Sequence, residues 1–451
     1  MQGQGRSRVR KAAFLTVVTA LLVGACSGSS GPSSSAVSGS PAASGSPAAS
    51  SSAPAAATIT MWVNSADAQP LKDLWARFTK DTGTKLDVVS FPSDGFETAL
   101  MQRWATGDRP DILEWHANYN WLVAINPKDN LRDLSNEGFV AKQVKGISAS
   151  LDGVTYGVVL NTPTAWGIYY NKPIFARLGL TPPTTAAEVE QTCLAIKKAD
   201  PTITPLEETA GSQWPPLVMQ GQFTADALQA GFMQKLINRQ AKVNDADSPW
   251  LRSLQFYKKL QGEGCFNSDI MTAKFENSPS ILLSGKAAMV SLHSGFVQLA
   301  VDASDAATVN STIGFTEWSE TRPVVTIEYS PNGTYYLPKT GKADREAAAL
   351  AFMTYVTGSA YADYVKAAGM IPTFTGVDIP TNVPTPLLDI QAAITKDGTT
   401  NPIWSVLPGI TDLVKYPGEL INGDLTPQSA VDLLQKQAEQ GAKAANLPAW
   451  P

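Results

Sequence analysis

Residues 113 to 118 read Leu-Glu-Trp-His-Ala-Asn and set a carboxylate, an indole and an imidazole side by side at Glu114, Trp115 and His116. A second group, Trp62 with Asp67 five residues on, lies near the start of the sequence that can fold. A carboxylate accepts hydrogen bonds from two adjacent donors, and a charge-assisted bond contributes about 1.5–3 kcal/mol where a neutral one contributes about 1 kcal/mol. An indole adds a flat apolar face. These are means of holding a small polar molecule. Metal and covalent chemistry find less to work with. His116 is one of only two histidines, so it cannot belong to a three-histidine metal site. No nucleophile elbow, no Walker loop, no His-Glu-x-x-His and no closely spaced set of metal ligands occurs, and no cofactor is expected.

The elements that must position these groups are legible from periodicity. Residues 58–63 alternate as a strand. Leu71, Leu74, Trp75 and Phe78 then recur at helical spacing, with Pro70 suited to the first turn and Gly83 to the stop. Residues 85–91 form a second strand. Phe96, Leu100 and Trp104 mark a second helix ended by Gly107 and Pro110, and residues 111–115 a third strand. Trp75 and Trp104, on faces that meet the sheet, are core. Strand, helix, strand, helix, strand implies a parallel, doubly wound sheet, whose ligands bind beyond the carboxyl ends of the strands. Trp62 to Asp67 and Glu114 to His116 lie at those ends. Farther on, residues 151–172 are extended around Pro163, a helix starts near Thr185 with Val189, Cys193 and Ile196 on one face, and another helical pattern ends beside Cys265. Residues 326–339 are extended again, and helices are expected around 342–366 and 427–445.

The N-terminus carries Arg6, Arg8, Arg10 and Lys11, then a short apolar run that stops at Cys26. That is the layout of an export signal over residues 1–25, and it resembles the lipobox of bacterial lipoproteins, in which the cysteine thiol receives a diacylglycerol. An ordinary secretory signal with an incidental cysteine is the alternative. Residues 26–57, rich in Ser, Ala, Gly and Pro and without charge, cannot bury enough surface to offset ordering and read as a tether. About 395 residues remain, more than one core normally serves, so two domains are expected. With 43% hydrophobic and 17% charged residues the whole chain has the composition of a soluble globular protein, and its formal charge of −5 argues against a nucleic-acid partner. In an exported chain the remaining pair, Cys193 and Cys265, reads as a disulfide closing a loop of about 70 residues and stabilising by about 4 kcal/mol; two buried free thiols are the alternative.

Several stretches, in order, resemble the extracellular sugar-binding proteins of ABC importers, the branch that includes the maltose- and glucose-binding proteins. They are GDRPDIL (107–113), GVTYGV (153–158), IYYNKPIFARLGLTPPTT (168–185), SGKAAMV (284–290) and the run from Lys342 to Thr373. The resemblance covers nearly all of 58–445 and implies an α/β, two-lobe, periplasmic-binding-protein-like fold, each lobe a doubly wound sheet with flanking helices. On that pattern lobe 1 takes 58–160 and 290–330 and lobe 2 takes 166–285 and 337–445. Crossings are expected near Leu160–Ala165, Gly285–Met289 and Ser330–Leu337. The paired cysteines also look like the disulfide of the glucose-binding members.

A sugar offers a C–H face to an aromatic ring and a rim of hydroxyls to planar polar groups. The resemblance makes Trp214, in GSQWPPLV, a stacking residue beside Trp62 and Trp115. Phe296 stands where family members often carry a tryptophan. Glu114, His116 and Asp67 are the polar contacts implied for the first lobe, and Asn332, Tyr329 and His293 lie near crossings. The implied function is capture of a mono- or short oligosaccharide and delivery to a membrane permease, by a lipid-anchored monomer that is not an enzyme. A cell-surface glycoside hydrolase, which would need two carboxylates about 5–10 Å apart, and a carbohydrate-sensing or adhesion lipoprotein are the rival readings.

Overall fold

The computed structural model describes residues 58–93, 95–407, 413 and 415–444; the leader, Cys26 and the tether lie outside them. The chain first lays β1 (Thr58–Asn64), β2 (Lys85–Phe91), β3 (Ile112–Glu114), β4 (Ala149–Leu151) and β5 (Val154–Val159) into one sheet. It crosses to a second sheet for β6 (Thr164–Asn171), β7 (Thr204–Glu207), β8 (Ala287–His293), β9 (Ile313–Thr316) and β10 (Val325–Glu328). It returns to the first as β11 (Thr334–Tyr336) and adds β12 (Thr399–Thr400) to the second. The orders are β2-β1-β3-β11-β5-β4 and β12-β10-β6-β8-β7, with β9 also paired to β6.

β1 runs parallel to β2 and β3, because the helices Gln69–Thr82 and Phe96–Ala105 carry the chain back over the sheet between them. The first helix buries Leu71, Leu74, Trp75 and Phe78, begins with Pro70 in its first turn and ends at Gly83 with φ 76°, a left-handed conformation that costs glycine least. Strand alternation divides β1 between two cores. Ile59, Met61 and Val63 pack with Phe78, Phe352 and Val365, while Trp62 points to the other face with Phe91, Trp115 and Phe296. A third cluster, built on Trp250, Leu254, Tyr257 and Met289, fills the second lobe. The helix Ala186–Ala199 starts with Thr185 and Glu188 in a reciprocal capping box. It carries Cys193, whose sulfur is bonded to that of the buried Cys265 across a sequence separation of 72.

The lobe boundaries differ from those implied by the resemblance. β8, β9 and β10 all pair with β6 or with a strand that does, so residues 290–330 belong to the second sheet, not to lobe 1. The helices Ala343–Val356 and Tyr361–Ala368 pack on β1 and the helix Gln69–Thr82, so the stretch from 337 to about 375 belongs to lobe 1, not to lobe 2. The helices Thr385–Asp397 and Pro427–Ala444 do join lobe 2. The crossings accordingly run through 160–163, 329–333 and 375–384. Residues 285–289 instead lead into a central strand of sheet 2, where a buried, purely apolar run such as Ala287-Ala288-Met289-Val290 fits best.

At the end of β7, Glu208 is buried, with its Oε1 accepting a 2.8 Å bond from the Thr209 amide. Burial, aided by the charge of Glu207, pushes its carboxyl up to about 8 from an ordinary 4.5. Between those values the unfolded chain is ionised here while the native state keeps its proton, so stability falls as pH rises through this window. Glu208→Gln cannot ionise. Thermal melts at about pH 5 and about pH 8 should show a smaller loss of melting temperature for the variant than for the parent; parallel losses would contradict this.

Candidate functional site

In the first lobe, the chain leaving β3 turns at His116. Its Nε2 lies 2.7 Å from Glu97 Oε1 and its Nδ1 lies 3.2 Å from the Tyr329 carbonyl, so the ring is held from two sides. Trp121 stacks on it with centroids 5.4 Å apart and planes at 20°. Glu97 sits in the first turn of the helix Phe96–Ala105. Burial pushes its carboxyl up, but the hydrogen bond and charge of His116 outweigh that and hold it below the usual range.

In the second lobe, Trp166 on β6 stands directly opposite His293 on β8 and Thr326 on β10. Glu328, two residues beyond Thr326, shares that face by strand alternation. Trp404, in the turn Ile403–Ser405, packs 4.9 Å from Trp166 and donates its Nε1–H to Glu328 Oε1 at 3.1 Å. Trp214, just ahead of the helix Pro215–Phe223, stacks on His293 at 4.8 Å and 26°. Gly221 lets these rings settle. A β-carbon there would lie 2.8 Å from Trp166 Cζ3 and 3.1 Å from Trp404 Cη2, inside van der Waals contact. His293 Nδ1 accepts the Gly295 amide at 3.0 Å, which leaves the proton on Nε2. Burial pushes this imidazole down to about 4, so it is neutral at physiological pH.

The two sets face each other at the foot of the lobes. Asn118 Nδ2 donates to Ser405 Oγ at 3.1 Å across the gap. Burial raises the Glu328 carboxyl, and the Trp404 hydrogen bond and the His116 charge oppose the rise. Trp121, Trp214 and Trp404 are each half-buried. Trp166 Nε1–H and Asn120 Oδ1 are buried without a hydrogen-bond partner. The two sets together offer flat apolar rings, two carboxylates and N–H donors, which suit a hydroxylated, uncharged guest better than an apolar one.

Of the residues singled out from sequence, His116 and Trp214 are brought to this space, with His293 beneath Trp214 and the Tyr329 carbonyl beneath His116. The others lie elsewhere. Trp62, Trp115 and Phe296 have no exposed surface. Phe91 meets the Trp62 ring edge-on at 5.4 Å, and Arg103 covers it at 4.6 Å. Trp115 Nε1 donates to the Trp121 carbonyl, and Phe296 packs on Tyr169. Glu114, fully buried, accepts from the Asn64 and Gly333 amides at 2.8 and 2.7 Å, and Asp67 accepts from Asn332 Nδ2 at 2.6 Å. Burial lifts both carboxyls above their ordinary values. These three polar residues fasten the second crossing to β1 and β3; Glu114 and Asp67 are buried, and Asn332 is half-buried. Glu97, Trp121, Trp166, Glu328 and Trp404 join His116 and Trp214 with no local sequence pattern that marks them. Trp121 lies five residues after His116, and Trp404 follows Asn-Pro-Ile at the start of a short turn, which are signals only once the lobes are assembled.

A separate cavity of about 510 Å³ lies behind Tyr329, lined by Ile147, Pro163, Ile327, Ile371, Ile390 and Ile394 among others. Lys145, Thr162, Gln391, Thr395 and Thr399 supply polar groups there, but no aromatic ring lines it, so it lacks a flat face on which a sugar could stack.

The fold recurs in solved structures. The apo form of RafE from Streptococcus pneumoniae matches with 19% identity and a TM-score of 0.69, covering 85% of this chain and 97% of that one. MsmE of Bacillus subtilis, in an open conformation, matches with 18% identity and a TM-score of 0.71 over 87% and 99%. A sugar transporter protein of Bacillus licheniformis in complex with stachyose matches with 17% identity and a TM-score of 0.64 over 84% and 98%. No curated protein matches the chain by sequence. The family model described as bacterial extracellular solute-binding protein matches residues 62–363, more than half of the sequence, and this chain belongs to that family.

Proposed function

We propose that this protein is the sugar receptor of an ABC importer. It captures a saccharide between its lobes, hands it to a membrane permease and is held to the outer face of the membrane by lipid on Cys26, as a monomer that performs no chemistry on its ligand. What supports the reading is a set of rings and carboxylates on each lobe, His116, Glu97 and Trp121 on one and Trp404, Glu328, Trp214 and His293 on the other, with Asn118 bonded to Ser405 between them. The raffinose complex of RafE and the stachyose complex among proteins of the same fold support it. Hinged lobes that close over a ligand turn its presence into a shape that a permease can recognise.

Calorimetric titration of the purified protein with glucose, galactose, maltose, raffinose and stachyose should give saturable binding of at least one, with the sugar recovered intact. Binding of none, or release of cleaved sugar, would remove the proposal. Trp404→Ala deletes an indole and a donor to Glu328; it should weaken that binding by about tenfold or more while the melting profile stays cooperative. Unchanged affinity would take Trp404 out of the site. For the thiols, mass spectrometry of the unreduced mature chain should show a diacylglycerol adduct on Cys26 and a mass two hydrogens below the reduced form. Free thiols or an unmodified N-terminus would contradict the disulfide and the anchor respectively.

A further inference from the structure

The charges around the cleft are lopsided, and that asymmetry bears on which saccharides can enter. Glu97 and Glu328 bring a carboxylate from each lobe. His293 is kept neutral by its burial, with Nδ1 already accepting the Gly295 amide. His116 alone can add a positive charge here, and it is committed to Glu97 at 2.7 Å. Even with His116 doubly protonated, one negative charge remains when both carboxylates are ionised. Among the described residues, no lysine or arginine contributes to the electrostatic surroundings of Glu97 or of Glu328. The nearby basic groups are directed elsewhere: Arg103 lies over Trp62 and pairs with Asp108, and Lys274 is bonded to the Gly211 carbonyl.

We infer that the cleft selects its saccharide by the sign of its charge, accepting neutral and amino-substituted sugars and rejecting those that carry a carboxylate, phosphate or sulfate. This rests on the sugar-binding reading above and adds Glu97 and Glu328 as its specificity-determining residues. The free lone pairs of the two carboxylates accept from hydroxyl or ammonium groups alike. An acidic substituent meets like charge between the two carboxylates, with no guanidinium or ammonium among the described residues paired to either of them, and specificity then comes from an uncompensated repulsion. An ammonium group gains an ion pair, provided it reaches either carboxylate, in exchange for the acceptor lone pairs of the hydroxyl it replaces.

Matched series test this: glucose, glucosamine and glucuronate, and galactose, galactosamine and galacturonate, titrated calorimetrically beside maltose and raffinose. The neutral member that binds should have an acidic counterpart weaker by a hundredfold or more and an amino counterpart at least as tight. An acidic sugar weaker by less than a hundredfold, or an amino sugar weaker than its parent, overturns charge selection while leaving the sugar receptor standing. Failure of every sugar, whatever its charge, overturns the sugar reading itself. Glu97→Gln with Glu328→Gln keeps an oxygen for Trp404 and His116 and should bring the acidic member to within tenfold of its parent; persistence of the full discrimination overturns the assignment to these carboxylates. Should the double variant fail to fold, Glu328→Gln alone should narrow the gap, and no narrowing counts against the assignment.

Discussion

Five residues, Tyr329 to Gly333, carry the chain from the end of β10 in one sheet to the start of β11 in the other, and much of the molecule is fixed through them. The Tyr329 carbonyl meets His116, Ser330 hydrogen-bonds Asn332, Asn332 donates to Asp67, and the Gly333 amide donates to Glu114. A crossing segment has no ladder of its own, so its backbone groups must find partners in side chains or water. The buried carboxylate of Glu114 accepts the Gly333 amide and that of Asp67 accepts the Asn332 side chain, while burial raises both carboxyls above their ordinary values and Lys72 opposes the rise at Asp67. Because this crossing starts directly after Glu328, the position of a cleft carboxylate and the join between the lobes are set by the same stretch of backbone.

This coupling explains why part of the molecule was legible and part was not. The strand and helix order of the first lobe followed from local spacing, since Leu71, Leu74, Trp75 and Phe78 bury one helix face and Ile59, Met61 and Val63 one strand face. His116 could be found because it follows the carboxyl end of β3. The same reasoning gave Trp62, Asp67, Glu114 and Trp115 to the ligand, and there it failed: alternation assigns a side chain to a face but does not say whether a neighbouring helix or crossing covers that face. Phe91 and Arg103 cover Trp62, and the second crossing covers Glu114. Trp404 and Glu328, 76 residues apart and bonded to each other, meet only through the folding of sheet 2. The lobe limits failed for a related reason. Residues 287–328 contain strands whose apolar runs suit either sheet, and pairing with β6 is a long-range fact that no local pattern records.

The rings and charges of the cleft are divided between the lobes in a way that suits capture. Each half alone presents a partial site, one ring pair with one carboxylate: Trp121 on His116 with Glu97, and Trp404 on Trp166 with Glu328. A guest that satisfies both halves favours their approach by its differential contacts with the closed form. Gly221 and Gly295 matter to this geometry because they bring helix backbone against Trp166, Trp404 and His293, which fixes ring orientation before any ligand arrives. Preorganised rings lose little entropy on binding.

The central claim is that the ligand lies between His116 and Trp404. A crystal structure of the protein grown with the tightest-binding sugar of the calorimetric panel tests it most directly. The account predicts a sugar ring in van der Waals contact with the Trp404 or Trp214 indole and hydroxyls within hydrogen-bond distance of Glu328 and of His116 or Glu97. A sugar seated instead in the isoleucine-lined cavity behind Tyr329, or on the outer surface of one lobe, would contradict it.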